Sequence, residues 1–141
     1  MAEPRVPFLA LGPVNERHQS RIEEAALRVL RSGWYVLGHE VEAFEAEFAD
    51  YCEARYCVGV GNGFDALTLT LSAFDFEPGS EVIVPANTYI ATALAVSRAG
   101  LTPVLVEPDM QSYLLDPERI ESALTVRTRA IVPVHLYGRS C

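Results

Sequence analysis

The chain has 141 residues, half of them hydrophobic, so it is long and apolar enough to fold around a core, which excludes a disordered chain. Nineteen acidic and eleven basic residues give a net charge of −8, which excludes nucleic-acid binding through a broad basic surface. The sequence shows neither an apolar run of transmembrane length nor a signal-peptide pattern, so we expect a cytosolic protein with no membrane partner.

Residues 1–55 are predicted to form an extended arm followed by two helices. Three prolines within residues 1–13 favour the arm, because proline disrupts a helix interior. From Asn15, a candidate N-cap, apolar residues at helical spacing predict a helix that ends at Gly33. A second helix follows the turn at residues 34–38. Its stripe of large side chains is typical of core packing and consists of Val41, Phe44, Phe48 and Tyr51.

From Tyr56 onward, short apolar runs alternate with helical patterns. The apolar runs predict four strands that are covered on both faces, at residues 56–60, 81–84, 102–107 and 129–134. The helical patterns between them predict helices at residues 64–74, 88–99 and 117–124. This alternation indicates an α/β fold with a mainly parallel sheet and crossover helices, preceded by the two N-terminal helices.

A glycine-rich turn, with Gly61 and Gly63, joins the first predicted strand to the next helix. Such a turn leaves N–H groups free at the positive end of the helix dipole, where phosphate binds. The turn lacks the Gly-Lys-Ser/Thr of a P-loop and the glycine spacing of a dinucleotide fingerprint. The sequence therefore predicts a phosphate-bearing ligand; the alternative is a plain corner between a strand and a helix.

Two further segments, residues 85–89 and 135–138, follow predicted strands, where α/β sheets bind ligands. Tyr89 lies in the first turn of a predicted helix and either stacks on a flat ring or packs beneath the loop. His135 is interpreted as a hydrogen-bonded structural histidine. The three cysteines lack zinc-ligand spacing, so we expect reduced thiols and no metal site.

Five segments together carry a resemblance that covers almost the whole chain. They are residues 32–38 with Val41, Phe44 and Glu45; residues 58–67; residues 82–92; residues 97–100 with residues 102–104; and residues 128–138. In their order and spacing they resemble the DegT/DnrJ/EryC1/StrS family of pyridoxal-phosphate-dependent sugar aminotransferases. The segment from Asn62 to Leu67 is most similar to the 3-aminotransferases that act on dTDP-linked 3-keto-6-deoxyhexoses.

The resemblance implies the N-terminal part of the large domain of a type I pyridoxal-phosphate-dependent transferase. It also implies a homodimer with the active site at the subunit interface and pyridoxal 5′-phosphate as the cofactor. The implied reaction moves an amino group, with glutamate as the donor, onto a nucleotide-linked keto-sugar in deoxyamino-sugar biosynthesis.

The resemblance also implies roles for individual residues. Gly63, Phe64 and Asp65 would hold the cofactor phosphate, largely through backbone amides, and the ring of Tyr89 would stack on the pyridine ring. Trp34 and Tyr35 would lie near the sugar nucleotide or the dimer contact. These are binding and contact roles, and the resemblance implies no catalytic residue within this chain.

The sequence contains no lysine; all eleven basic residues are arginine. The family's reaction needs a lysine that binds the cofactor and moves a proton, and a carboxylate that pairs with the pyridinium nitrogen. In the family both lie downstream of the segment that matches residues 132–138. Arginine cannot replace the lysine, because its guanidinium stays protonated and is not nucleophilic.

We therefore expect residues 56–141 to be an incomplete cofactor-binding domain in a truncated family member that is inactive alone. Two alternatives are a non-catalytic binding or assembly module that pairs with a separate chain, and the product of a decayed gene. A third is an unrelated α/β nucleotide-binding domain.

Overall fold

The computed structural model describes residues 6–141, and contacts divide the chain into two compact units, Met1–Gly59 and Val60–Cys141. The prediction of an extended arm at residues 1–5 lies outside the described residues. No helix within the described range is long and apolar enough to span a bilayer.

The first unit is helical, with α1 at Gly12–Glu16, α2 at Gln19–Ser32 and α3 at His39–Tyr51. The extended arm is wrong at its end, because Pro13 lies in the first turn of α1, where proline costs no hydrogen bond. Asn15 lies inside α1, so it is not the N-cap of the next helix. The predicted end of that helix is confirmed, since Gly33 follows α2 with a φ of +68°.

The aromatic stripe of α3 is not a core within this unit. Phe44 and Phe48 stack on each other with ring centroids 5.4 Å apart, and Tyr51 lies 6.2 Å from Phe48. All three rings are substantially exposed, whereas Ala49 on the same helix is buried. The helical spacing was therefore read correctly, but the predicted burial of these side chains was wrong.

The second unit is a three-layered α/β unit around a parallel sheet. In chain order its elements are α4 (Gly63–Ala73), β1 (Glu81–Pro85), α5 (Ala91–Arg98), β2 (Thr102–Val106), α6 (Pro117–Ala123) and β3 (Thr128–Ile131). The strand order is β2-β1-β3, and both pairings are parallel. The predicted α/β fold with crossover helices is therefore confirmed, with β1 at the centre of the sheet.

The two faces of β1 bury side chains against different helices. Val82 and Val84 point to one face and pack in a cluster with Leu71 of α4 and Val96 of α5. Ile83 points to the opposite face, where the partly buried Ile120 and Ala123 of α6 pack against its cluster. Every residue of β1 is buried, as expected of a strand that is covered on both faces.

The strand predicted at residues 56–60 is wrong. The segment has no regular structure, and the N–H of Gly59 donates instead to a carboxylate oxygen of Glu45 in α3, at 2.6 Å. Tyr56 and Val58 are mostly exposed. A strand needs a neighbour to complete its hydrogen bonds, so apolar β-forming residues without one give only an extended chain.

Candidate functional site

The start of α4 is organised by a reciprocal pair of side chains. Asn62 is the N-cap, and its Oδ1 accepts a hydrogen bond from the backbone N–H of Asp65 at 2.9 Å. The Nδ2 of Asn62 donates to Oδ2 of Asp65 at 2.8 Å. This arrangement resembles a capping box, in which the N-cap residue and the third helical residue stabilise each other.

The cap leaves two backbone donors free. The N–H groups of Gly63 and Phe64 have no hydrogen-bond partner among residues 6–141, and they lie at the positive end of the dipole of α4. A Cβ on Gly63 would meet nothing within 4 Å, so the space beside it is open. A Cβ on Gly61 would lie 3.2 Å from Oδ2 of Asp65, which is too close for an undisturbed side chain. The glycines therefore leave room for the Asp65 carboxylate at position 61 and for a ligand at position 63.

The side chain of Phe64 takes no part in this cradle. It is partly buried and packs against the core cluster of Leu71, Val82 and Val96. Its carbonyl oxygen accepts a hydrogen bond from the hydroxyl of Thr68 at 2.9 Å. Phe64 therefore contributes its N–H to the start of α4 and its ring to the core.

Tyr89 lies in the loop that leaves the carboxyl end of β1. Helix α5 begins at Ala91, so the prediction that Tyr89 lies in the first turn of that helix is wrong. Its carbonyl accepts the N–H of Thr92 at 3.0 Å, and its side chain is 79% exposed. This exposure contradicts packing beneath the loop and leaves the ring available.

The loops after β1 and β2 are tied together. Nδ2 of Asn87 donates to the carbonyl of Tyr113 at 3.0 Å, and the N–H of Ala86 donates to the carbonyl of Val106 at 2.8 Å. In the second loop, Asp109 accepts the N–H of Ser112 at 2.8 Å. The hydroxyl and the N–H of this serine hold the pKa of the Asp109 carboxyl below its usual value. The two loops form one hydrogen-bonded edge.

Trp34 and Tyr35 belong to the first unit, where they line a cavity of about 260 Å³ between the end of α2 and the start of α3. Trp34 Nε1 donates to the carbonyl of Val36 at 2.6 Å, and the hydroxyl of Tyr35 donates to the carbonyl of Leu30 at 3.2 Å. Both rings are at least half exposed. They are therefore fixed by backbone contacts while their faces stay accessible.

The wall of this cavity also carries an ion pair. Nε of Arg28 lies 2.9 Å from Oε1 of Glu40, and the guanidinium holds the pKa of the Glu40 carboxyl below its usual value. In the second unit, Nδ1 of His135 accepts the N–H of Cys141 at 3.1 Å, in agreement with the interpretation of a hydrogen-bonded histidine.

The predicted site residues thus fall into two sets, Gly63, Phe64, Asp65 and Tyr89 in the second unit, and Trp34 and Tyr35 in the first. Sequence reasoning missed Asn62 and Asn87. Asn62 had a usable signal, since an asparagine three residues before an acidic residue at a helix start is close to the pattern of a capping box. Nothing in the sequence indicated Asn87, whose partner Tyr113 lies on another loop.

A protein-family model described as the DegT/DnrJ/EryC1/StrS aminotransferase family matches residues 16–141. A dTDP-3-amino-3,6-dideoxy-alpha-D-galactopyranose transaminase of Aneurinibacillus thermoaerophilus is 59% identical over 96% of this chain and 38% of the relative. A dTDP-3-amino-3,4,6-trideoxy-alpha-D-glucose transaminase of Streptomyces venezuelae is 56% identical over 96% of this chain and 36% of the relative.

Solved structures agree with these matches. The crystal structure of DesV from S. venezuelae superposes with a TM-score of 0.92 at 54% identity, over 98% of this chain and 37% of DesV. The structure of NtdA from Bacillus subtilis, with bound cofactor PMP, gives a TM-score of 0.91 at 35% identity, over 100% of this chain and 33% of NtdA. The chain therefore spans about a third of the length of these relatives, from 33% to 38%. The alternative of an unrelated nucleotide-binding domain is wrong.

Proposed function

The chain belongs to the DegT/DnrJ/EryC1/StrS aminotransferase family, and from this membership we propose that it forms the phosphate-binding part of a pyridoxal-phosphate-dependent aminotransferase site. The substrate class we propose is a dTDP-linked 3-keto-6-deoxyhexose, with glutamate as the amino donor. The names of two relatives that are 56–59% identical support this class. The second unit, Val60–Cys141, would be part of the cofactor-binding domain, and the whole assembly a homodimer.

The observation that carries the proposal is the pair of free N–H groups at the start of α4. They offer two donors to one anion, beside the open space at Gly63. A hydrogen bond to a charged group is worth about 1.5–3 kcal/mol. Gly63 and Phe64 would hold the cofactor phosphate with these groups, while Asp65 would act at the helix start rather than on the phosphate itself.

The pyridine ring would lie against Tyr89. The exposed ring of Tyr89 offers a face of the size needed for stacking. Tyr89 lies in the loop that follows the carboxyl end of β1, where α/β sheets bind ligands. Trp34 and Tyr35, held by backbone hydrogen bonds with their faces accessible, are proposed to contact the sugar nucleotide or the dimer partner.

The residues present fit the phosphate and the ring of the cofactor, but none can form the covalent bond that a lysine makes to its reactive carbon. When bound, the cofactor supplies an electron sink that lets an amino group pass between donor and acceptor. The chain's own contribution is to bind and orient: N–H groups hold the phosphate and an aromatic face fixes the ring plane. No side chain of the sequence can act as the amine that this chemistry requires, since lysine is absent. We therefore propose cofactor binding without transamination by this chain alone.

The test compares two ligands that differ only in the phosphate. We expect the purified 141-residue chain to bind pyridoxamine phosphate at least about tenfold more tightly than pyridoxamine in isothermal titration calorimetry, because two charge-assisted hydrogen bonds are lost with the phosphate. In an amino-transfer assay with glutamate and a dTDP-linked keto-sugar, we expect no turnover by this chain.

The A. thermoaerophilus transaminase serves as the positive control for both measurements. Equal affinity for the two ligands would contradict the phosphate cradle and leave a binding or assembly module, or the product of a decayed gene, as the remaining interpretations. Turnover by the chain alone would contradict the assignment of binding without chemistry.

A further inference from the structure

The start of α4 presents an electrostatic problem to any anion that binds there. Asp65 is the third residue of the helix, so its carboxylate lies in the same turn as the free N–H groups of Gly63 and Phe64. A carboxylate in the first helical turn is itself attracted by those groups and by the helix dipole. Unless it is restrained, Asp65 can occupy the donors that a phosphate would use, and it repels a dianion.

In the structure the carboxylate is restrained by one side chain. Nδ2 of Asn62 donates to Oδ2 of Asp65 at 2.8 Å, and the carboxylate lies over Gly61, where a Cβ would be only 3.2 Å from that oxygen. The other end of the Asn62 amide accepts the N–H of Asp65 at 2.9 Å. Asn62 therefore caps the helix with its oxygen and holds the carboxylate back with its nitrogen.

We propose that Asn62 is a positioning residue that keeps the Asp65 carboxylate out of the phosphate cradle formed by Gly63 and Phe64. This inference rests on the proposed function and goes further, because it assigns a role to a side chain that does not itself contact the phosphate. It also explains the glycine at position 61, which gives the retracted carboxylate the space it occupies. Asp65 is compatible with an anion site because Asn62 binds its carboxylate and keeps it from the N–H groups of Gly63 and Phe64.

The test is a double-mutant cycle on Asn62 and Asp65, with the dissociation constant for pyridoxamine phosphate as the readout. We expect Asn62→Ala to weaken binding about tenfold, because one change releases a competing carboxylate and removes the N-cap of α4. Asp65→Asn should bind more tightly than the wild type, by about two- to fivefold, because it removes a negative charge beside the dianion while its amide oxygen still accepts from Asn62. The double variant should recover most of the loss, to within about threefold of Asp65→Asn.

Recovery in the double variant separates this role from simple helix capping. If Asn62 only capped α4, its replacement would cost the same in both backgrounds, and the double variant would bind about tenfold more weakly than Asp65→Asn. Pyridoxamine, which lacks the phosphate, should bind all four proteins equally. Circular dichroism and thermal melting of each variant show that it is folded. If Asn62→Ala does not fold, Asn62→Gly replaces it in the same cycle, because glycine is tolerated at an N-cap and has no side-chain donor for the carboxylate.

The failures are distinguishable. If the wild type does not prefer pyridoxamine phosphate to pyridoxamine, the proposed function fails and the role of Asn62 fails with it. If the wild type shows the preference, but Asn62→Ala binds as tightly as the wild type or the two effects simply add, the phosphate cradle stands and the positioning role is overturned.

Discussion

The burial of the central strand of the second unit can be tested with two isoleucines that are neighbours on adjacent strands. Ile83 of β1 and Ile131 of β3 are register partners, but Ile83 is 0% exposed and Ile131 is 44% exposed. Replacing either by alanine makes the same chemical change. The difference between the two costs therefore reports how deeply each side chain is buried and packed in its strand.

The magnitudes follow from these exposures. Ile→Ala removes about three methyl or methylene groups, and at about 0.8 kcal/mol each the transfer loss at the fully buried Ile83 is ~2.4 kcal/mol. The cavity left among Val106, Leu115 and the residues of α6 adds about 1–1.5 kcal/mol, for a total of ~3–4 kcal/mol. At Ile131 little more than half of the transfer loss applies and no closed cavity forms, so we expect about 1 kcal/mol.

Urea unfolding followed by circular dichroism measures both. With an m-value of about 2 kcal/mol per M, Ile83→Ala should lower the midpoint by about 1.5–2 M and Ile131→Ala by about 0.5 M, without a change of m. Equal shifts for the two variants, or a larger shift for Ile131→Ala, would refute the assignment of β1 as the buried centre of the sheet.

Two further predictions concern acid stability and helix ends. Glu81, buried at the start of β1, has a pKa below its usual 4.5 because the Thr125 hydroxyl and then the Arg127 guanidinium donate to its carboxylate. Its contribution to stability is therefore complete above pH 4.5 and is lost as the pH falls through the lowered pKa of the folded state. The melting temperature of the wild type should therefore fall more steeply with acid than that of Glu81→Gln. Parallel curves of melting temperature against pH would contradict this. Gly33→Ala should lower the free energy of unfolding by about 1 kcal/mol in urea titrations, because Gly33 ends α2 with a φ of +68°. The matched control Gly33→Asn should cost less than Gly33→Ala, because asparagine adopts the left-handed conformation more readily, and equal costs would count against the left-handed cap.

The elements that sequence reasoning placed well have local causes. The strands β1 and β2 are apolar runs bounded by turn residues, and α6 begins where Asp116 precedes Pro117, a capping residue before a proline. The glycines of the α4 turn indicated where an anion could approach the backbone. Such signals need only a few neighbouring residues, so they can be read from one sequence.

The misplaced elements depend on partners that are remote in sequence. Residues 56–60 have strand composition, but Gly59 donates its N–H to Glu45 rather than to a neighbouring strand. In the candidate site, the turn predicted which backbone groups would be free, but it did not reveal that the Asp65 carboxylate accepts from Asn62 and lies beside Gly61. Propensity describes what a segment favours, and the contacts made by its neighbours decide what it does.

The hydrogen bond between Asn87 and Tyr113 joins the loops that follow two neighbouring strands, β1 and β2. The chain leaves β1 towards α5 on one face of the sheet and leaves β2 towards α6 on the other, so a crevice would be expected between their carboxyl ends. Asn87 spans that opening at 3.0 Å, and Tyr89 follows it by two residues. The loop after β2 is therefore tied through Asn87 to the loop that carries Tyr89, and a substitution that displaces the backbone at Tyr113 would also loosen that loop.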